Sequence, residues 1–158
     1  MGKNRKGVPE GFHTLSPYLI VRNADRAIEF YKQAFGAQLK SVHHMPDGRI
    51  MNAQLQIGDS MLLLNEEFPE FGSLSPLALT GTSVTLHLYV DDVDAAFSQA
   101  VGAGATIESP LEDAFWGDRF GKLKDPFGHG WSIATRLREV SEEEVARAAA
   151  ATFGQRQG

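Results

Sequence analysis

The chain has no cysteine among its 158 residues. Without cysteine it has no disulfide framework, no thiolate nucleophile and no cysteine-based zinc site. It also has no run of about 18 apolar residues, the length that a membrane span requires. The N-terminal residues do not include the apolar segment of a signal peptide. We therefore expect no membrane contact and a cytoplasmic location.

Positive charge is also scarce. The 15 lysine and arginine residues are outnumbered by 20 aspartate and glutamate residues, which gives a formal net charge of −5. Because a nucleic-acid-binding surface needs a basic face, we expect no nucleic-acid partner. The composition is 42% hydrophobic and 22% charged, which is ordinary for a globular protein. The length is sufficient for two small modules that share a core.

The same order of elements occurs twice along the chain. Each copy opens with a β-like run that ends in valine, continues into a helix-like stretch and then passes through a hairpin-like segment. The offset is 69 residues from Val21 to Val90 and 70 residues from Arg49 to Arg119. Solenoid repeats are only about 20–50 residues long, so this period predicts two copies of a whole βαβββ module. The expected fold is α+β, with a cavity between the two tandem modules.

The module boundaries follow from the repeat and from turn-forming residues. Proline and glycine without any periodicity separate the two copies, which is typical of a loop. After the second copy, Ser141 and Glu144 form a capping box that predicts a helix. The predicted segments are a flexible N-terminal tail (1–13), a first βαβββ module (14–66), an inter-module loop (67–82), a second βαβββ module (83–138) and a C-terminal helix and tail (139–158).

Several stretches of the two copies together resemble a known superfamily. They read PYLIVRNADRAIEFYKQAFGA, MPDGR, VTLHLYVDDVDAAF and FWGDRFGKLKDPFGHGWSIAT. They are similar to the vicinal-oxygen-chelate superfamily of glyoxalases, bleomycin resistance proteins and dioxygenases, and within it to the PhnB-like branch. The resemblance implies the glyoxalase-like fold, in which two curved mixed sheets enclose a cavity. It also implies a small-molecule ligand and a homodimer.

The resemblance also locates the positions that hold the family's metal. Transferred to this chain, they fall at Ser16, near Leu62 to Leu64, at Thr85 and at Ser132. A hydroxyl is a poor ligand for a divalent transition metal without imidazole or carboxylate beside it. We therefore expect no family metal site and no cofactor. A rearranged site that uses His87 and Glu66 is the alternative that would retain a divalent metal.

Strand alternation indicates which side chains line the expected cavity. Alternate residues of a strand share one face, so His87 and Tyr89 lie on one face with Thr85. The repeat matches His87 to Tyr18, so these two side chains are expected to approach each other. The WGDR segment supplies an aromatic and a guanidinium group, which could instead be a strand-edge aromatic and a solvated ion pair with Asp118 or Asp125. The predicted pocket residues are Tyr18, Asn52, Gln54, His87, Tyr89, Trp116, Arg119 and Ser132.

These observations leave three hypotheses for the function. The first is a PhnB-like small-molecule-binding protein without the family metal. The second is a metal-dependent lyase, isomerase or transferase with a rearranged site. The third is a metal-independent enzyme in which His87 acts as the general base, since an imidazole suits proton transfer near neutral pH.

Overall fold

The fold is described here from a computed structural model that covers residues 7–154. The elements are β1 (Tyr18–Val21), α1 (Ala24–Phe35), β2 (Gln38–His44), β3 (Ile50–Ile57), β4 (Ser60–Glu66), a 3-10 turn (Pro69–Phe71), α2 (Pro76–Leu79), β5 (Thr85–Tyr89), α3 (Val93–Ala103), β6 (Thr106–Asp113), β7 (Asp118–Lys124), β8 (Gly130–Arg136) and α4 (Glu142–Gly154). Residues 1–6 of the predicted tail and residues 155–158 lie outside the described part. Among the described residues, no helix is long and apolar enough to cross a membrane.

The strands form two mixed four-stranded sheets with the same topology. The orders are β1-β4-β3-β2 and β5-β8-β7-β6, and in each sheet the first pair is parallel and the others are antiparallel. The predicted α+β fold of two βαβββ modules followed by a C-terminal helix is therefore confirmed. The two sheets stay separate and do not close around a cavity. Openings between the modules lie instead along a seam that β1 and β5 flank.

Helices α1 and α3 form where the sequence predicts an apolar stripe between capping residues. The side chain of Asn23 accepts a hydrogen bond from the Arg26 N–H, and Gly36 ends α1 in the left-handed conformation at φ 67°. Asp92 caps α3 in the same way. The stripes are buried, with Tyr31 and Phe97 among the covered side chains. The helices therefore carry the packing face that their periodicity predicts.

Both modules contribute to one apolar core on the helix-bearing sides of the sheets. Helix α1 packs against α3, and the Phe35 ring lies 4.4 Å from the Trp131 ring of the second module. Tyr31 also contacts Trp131, at 5.6 Å between ring centroids. A shared core of this kind makes the modules one cooperative unit, since neither can expose its half without losing apolar burial.

A buried carboxylate joins the modules across this core. Asp125 begins the turn between β7 and β8, where it accepts hydrogen bonds from the backbone N–H groups of Phe127 and His129. Its other oxygen accepts from the Tyr31 hydroxyl at 2.6 Å and from the Trp131 indole at 2.9 Å. Burial is the main cause that raises the pKa of Tyr31 well above its usual value, and the charge and hydrogen bond of Asp125 raise it further. The DPFGHGW motif therefore fastens its turn to helix α1.

His129 makes a second connection between the modules. Its Nε2 lies 2.9 Å from the carbonyl oxygen of Ile20 in β1, and the residue is half-buried. The contact with β1 gives it a role in docking the two modules, in addition to its place in the turn.

The inter-module loop contains two short helical segments. Ser75 is fully buried, caps α2 and donates a hydrogen bond to Glu67, which also pairs with Arg22 at 2.7 Å. Several apolar side chains of the loop stay on the surface, and Phe71 is 74% exposed.

In the C-terminal segment the Ser141 hydroxyl accepts a hydrogen bond from the Glu144 N–H at 3.2 Å, as the capping box predicts.

Candidate ligand site on the open face of the second module

Each sheet has a helix-bearing face and an opposite face, which we call the open face. In the second module Gly121 marks the helix-bearing face, because a Cβ atom there would lie 2.6 Å from a carbon of the Phe97 ring. Since alternate residues of β7 point the same way, Asp118 and Lys122 belong to the open face. Strand pairing aligns Lys122 with Ser132, and Ser132 with His87.

His87 is held on this face by its neighbours. Its Nδ1 lies 2.5 Å from the hydroxyl of Ser132, which is only 5% exposed. The Tyr89 ring packs edge-on against the imidazole at 4.8 Å between centroids. A buried hydroxyl on one ring nitrogen fixes the orientation of the imidazole and leaves Nε2 as the nitrogen available to a ligand.

Asp118 organises the far end of the same face. It is 2% exposed and accepts hydrogen bonds from the Tyr89 hydroxyl at 2.8 Å, the Trp116 indole at 3.2 Å and the Arg136 guanidinium at 2.5 Å. Burial alone would raise the pKa of the carboxyl. The hydrogen bonds from Arg136 and Tyr89 outweigh burial, so the pKa of Asp118 is lowered from its usual value. Asp118 is therefore an ionised anchor that positions two aromatic side chains.

Aromatic side chains surround this anchor. The rings of Trp116 and Phe120 are 5.1 Å apart, and those of Phe115 and Trp116 are 5.0 Å apart. Phe153 of α4 packs against Phe115 at 6.2 Å, so the C-terminal helix borders the cluster. Trp116 lies in the turn between β6 and β7 and is half-buried. The aromatic residue of the WGDR segment thus belongs to the open face.

Arg119, in contrast, lies on the helix-bearing face. Its guanidinium pairs with Asp94 of α3 and with Asp113 of β6, each at 3.0 Å. The sequence placed Arg119 at the pocket rim or in an ion pair with Asp118 or Asp125, and the structure shows neither arrangement. The reason is strand alternation, because Arg119 directly follows Asp118 and so points to the opposite side of the sheet.

The predicted residues of the first module form a separate polar cluster. The Asn52 amide donates to the Tyr18 hydroxyl at 3.0 Å, and Tyr18 is 50% exposed. Gln54 pairs with Leu63 in the neighbouring strand. Tyr18 lines an opening of about 590 Å³ along the seam, whereas His87 lines an adjacent opening of about 230 Å³. The two side chains therefore occupy neighbouring openings of the seam.

The strand register refines where the family metal positions fall. In the first sheet Tyr18 pairs with Leu63, and in the second sheet its counterpart His87 pairs with Ser132. Leu63 is therefore the counterpart of Ser132. Leu63 lies within the predicted range of Leu62 to Leu64, whereas Leu62 itself is only 3% exposed and packs in the apolar core. Ser16 precedes β1, and Thr85 pairs with Gly130 at the start of β5.

The rearranged metal site is not assembled in the structure. The Glu66 carboxylate accepts hydrogen bonds from the N–H groups of Asn23 and Ala24, at 2.8 and 2.9 Å, so it caps the start of α1. His87 lies in the other module beside Ser132. Within residues 7–154, no group of three or more histidine, cysteine, aspartate or glutamate side chains is close enough to hold a metal ion.

Three residues of the open face were missed from the sequence. The sequence patterns indicated Asp118 only as an ion-pair partner of Arg119, and they did not single out Arg136 or Lys122. The alternation of side chains along β7 places Asp118 and Lys122 on one face of the sheet. The pairing of Lys122 with Ser132 then shows that this is the face that carries Ser132. That pairing depends on the length of the turn that begins at Asp125.

Comparisons with known proteins agree with this architecture. A profile of the Glyoxalase/Bleomycin resistance protein/Dioxygenase superfamily matches residues 12–133. An uncharacterized protein of Mycobacterium bovis is 46% identical over 134 residues, which make up 83% of this chain and 88% of that protein. TioX from Micromonospora sp. ML1 is 27% identical with a TM-score of 0.63, over 79% of this chain and 99% of TioX.

A fourth comparison concerns the fold alone. The PhnB protein from Bacillus cereus has a TM-score of 0.61 at 16% identity, over 78% of this chain and 99% of that protein. The matched profile spans both modules, and the similar structures share the overall fold of this chain. The superfamily that the sequence motifs indicated is therefore confirmed: this chain belongs to the glyoxalase/bleomycin resistance protein/dioxygenase superfamily.

Proposed function

We propose that the chain is a PhnB-like protein that binds an amphipathic small molecule beside His87 and does not use a transition metal. The observation that carries this proposal is the hydrogen bond between His87 and the buried Ser132. It presents an oriented imidazole next to an opening along the seam. Small-molecule sites are concave and mostly apolar, with a few fixed polar groups, and this opening has that character.

The lining of the opening supports an amphipathic ligand. His87 and Thr85 supply polar atoms from β5, while Met61, Leu88 and Trp131 supply apolar surface from both modules. Its volume of about 230 Å³ suits a small ligand or part of a larger one. A ligand there would bury apolar surface against the side chains of the seam and direct one polar group to the imidazole.

The polar residues beside His87 favour binding without a transition metal. Ser132 and Thr85 offer hydroxyl groups, which are weak ligands for such ions. The nearest carboxylate of the open face, Asp118, already accepts three hydrogen bonds. A metal at this site would have to compete with the Arg136 guanidinium for that carboxylate, at a cost in electrostatic energy.

We also propose a cytoplasmic homodimer. The edge strands β2 and β6 lack a paired strand on one side of their sheets, and unpaired edges invite association. Apolar side chains of these strands are exposed, among them Ile107 at 49% and Leu39 at 37%. A second copy of the chain would bury both features in a symmetric interface.

A metal-independent enzyme is the second candidate, and the same contact favours it. When the Nδ1 hydrogen of His87 is donated to Ser132, Nε2 becomes a proton acceptor at the opening. Such an imidazole can act as a general base on a bound substrate. Tyr89, which packs against the imidazole, supplies a phenol as a hydrogen-bond donor.

Native mass spectrometry after incubation with nickel, zinc or manganese tests the metal and dimer proposals together. We expect twice the mass of the 17.3 kDa chain and no stoichiometric metal. Monomer mass at micromolar concentration would refute the dimer. Stoichiometric metal that is lost in His87→Ala would refute metal-free binding and would support the metal-dependent lyase, isomerase or transferase.

A thermal-shift ligand screen tests the site itself. We expect stabilising compounds whose effect is weakened by His87→Ala and by Trp116→Ala but not by His44→Ala, an exposed histidine at the end of β2. Compounds insensitive to both substitutions would place the pocket elsewhere. Conversion of a compound to product that stops in His87→Ala would identify the protein as an enzyme.

A further inference from the structure

The open face of the second module carries a cation opposite the His87–Ser132 pair. Lys122 in β7 is the direct strand partner of Ser132, which in turn pairs with His87 in β5. Paired residues of adjacent strands share a face, so His87, Ser132 and Lys122 form a row across three strands. His87 and Lys122 lie two strand spacings apart, about 9.6 Å. The four-carbon stem of the lysine can carry its ammonium group towards the imidazole.

No protein carboxylate neutralises this lysine in the described structure. Lys122 is exposed and forms none of the ion pairs that residues 7–154 contain, whereas Lys124, two residues further along the strand, pairs with Glu108. Asp118 is occupied by Tyr89, Trp116 and Arg136. In the edge strand β6, Glu108 is the carboxylate that pairs with Lys124, and Glu112 is the strand partner of Phe120 rather than of Lys122.

The neighbouring row of the same face is aromatic. Ala134 lies between Tyr89 in β5 and Phe120 in β7, and it is fully buried. Tyr89 is 58% exposed, so much of its ring remains available for contact. Successive rows on one face are two residues apart, about 6.6–6.8 Å along the strand. An aromatic ring can therefore pack beside Tyr89 and Phe120 while its substituent reaches the next row.

We propose that this face binds an aromatic carboxylate, with its carboxylate on Lys122 and His87 and its ring against Tyr89 and Phe120. The ammonium group gives a charge-assisted hydrogen bond. When the Ser132 hydroxyl donates its hydrogen to Nδ1 of His87, the Nε2–H of the imidazole donates a second hydrogen bond to the carboxylate. The inference rests on the proposed small-molecule function and specifies its ligand class. It keeps His87 as the shared polar contact, and it places the ring on the open face beside the seam opening rather than within that opening. It also assigns Lys122 the role of selecting an anion over a neutral ligand of the same shape.

Isothermal titration with phenylacetate and with its neutral analogue phenylacetamide tests this assignment. We expect wild-type protein to bind the acid about tenfold more tightly than the amide, since only the acid offers a charged acceptor to Lys122. Lys122→Met should abolish the preference, and Lys122→Arg should retain most of it. Lys124→Met is the matched control, because it removes a lysine from the same strand and face that already has a carboxylate partner.

Equal binding of the acid and the amide by the wild type, or an unchanged preference in Lys122→Met, would overturn the anion assignment. If both compounds bind equally and both are weakened by His87→Ala, the proposed site stands and only its ligand class is wrong. If neither compound binds, the aromatic carboxylate assignment is wrong, and the thermal-shift screen decides separately whether the site binds other small molecules. Circular dichroism of each variant confirms that the fold is retained.

Discussion

Removal of the Asp125 carboxylate should destabilise the whole chain, because it joins the two modules. Its four hydrogen-bond donors are the hydroxyl of Tyr31, the indole of Trp131 and two backbone N–H groups of its own turn. Tyr31 comes from α1, 94 residues earlier in the sequence. Asp125→Ala leaves both side-chain donors without an acceptor in a core where they are 0% and 2% exposed.

The expected loss can be worked out from these contacts. A buried donor left without a partner costs about 1–3 kcal/mol, so the two side-chain donors together cost about 2–6 kcal/mol. The two backbone donors lie in the same turn, where Phe127 is buried and His129 is half-buried, so the loss of their acceptor adds to this cost. We therefore expect Asp125→Ala to lower the free energy of unfolding by about 3–5 kcal/mol, a large part of the total for a domain of this size. Tyr31→Phe removes one donor and should cost about 1.5–3 kcal/mol.

Urea denaturation followed by far-ultraviolet circular dichroism measures both losses. Asp113→Ala is the matched control, since this aspartate is exposed and its partner Arg119 keeps a second ion pair with Asp94. We expect the control to stay within about 1 kcal/mol of the wild type, as for a surface ion pair. An Asp125→Ala variant as stable as the control would refute the claim that this carboxylate joins the modules.

Two further predictions concern the core and the open face. Phe97→Ala empties a buried aromatic position and should cost about 3–5 kcal/mol; an unchanged melting temperature would mean that α3 does not dock on its sheet. Because the pKa of Asp118 is lowered in the folded state, the unfolded chain binds more protons, so stability should fall as the pH drops through the folded-state pKa. Asp118→Asn should flatten this acid dependence in urea titrations between about pH 5 and pH 2, and an unchanged profile would contradict the role of Asp118 as an ionised anchor.

Local patterns in the sequence determined the elements and their order. The apolar stripes that contain Tyr31 and Phe97 predicted two helices and their buried faces, because helical periodicity is a property of adjacent turns. Asn23 caps the first helix and Gly36 ends it, so residues within or next to the helix mark both of its ends. The repeat predicted two equivalent modules. These features depend on residues near each other in the chain, so a single sequence is enough to find them.

The composition of the candidate site depended on contacts between strands. Whether Arg119 or Asp118 reaches the open face is decided by strand register, since a shift of one residue exchanges the two faces. The register also identifies Leu63, within the predicted range of Leu62 to Leu64, as the counterpart of Ser132. Nothing local to Lys122 shows that it lies beside Ser132 and His87, because each of the three belongs to a different strand.

The roles of the motif residues show the same division. The DPFGHGW segment is recognisable in the sequence, and its turn could be predicted from its proline and glycine. Its function in joining the modules depends on Tyr31 and Ile20, which come from the first module. Local periodicity therefore determined which elements form, whereas only the tertiary structure decided which side chains meet, because hydrogen bonds and packing between distant segments exist only once the two modules have docked.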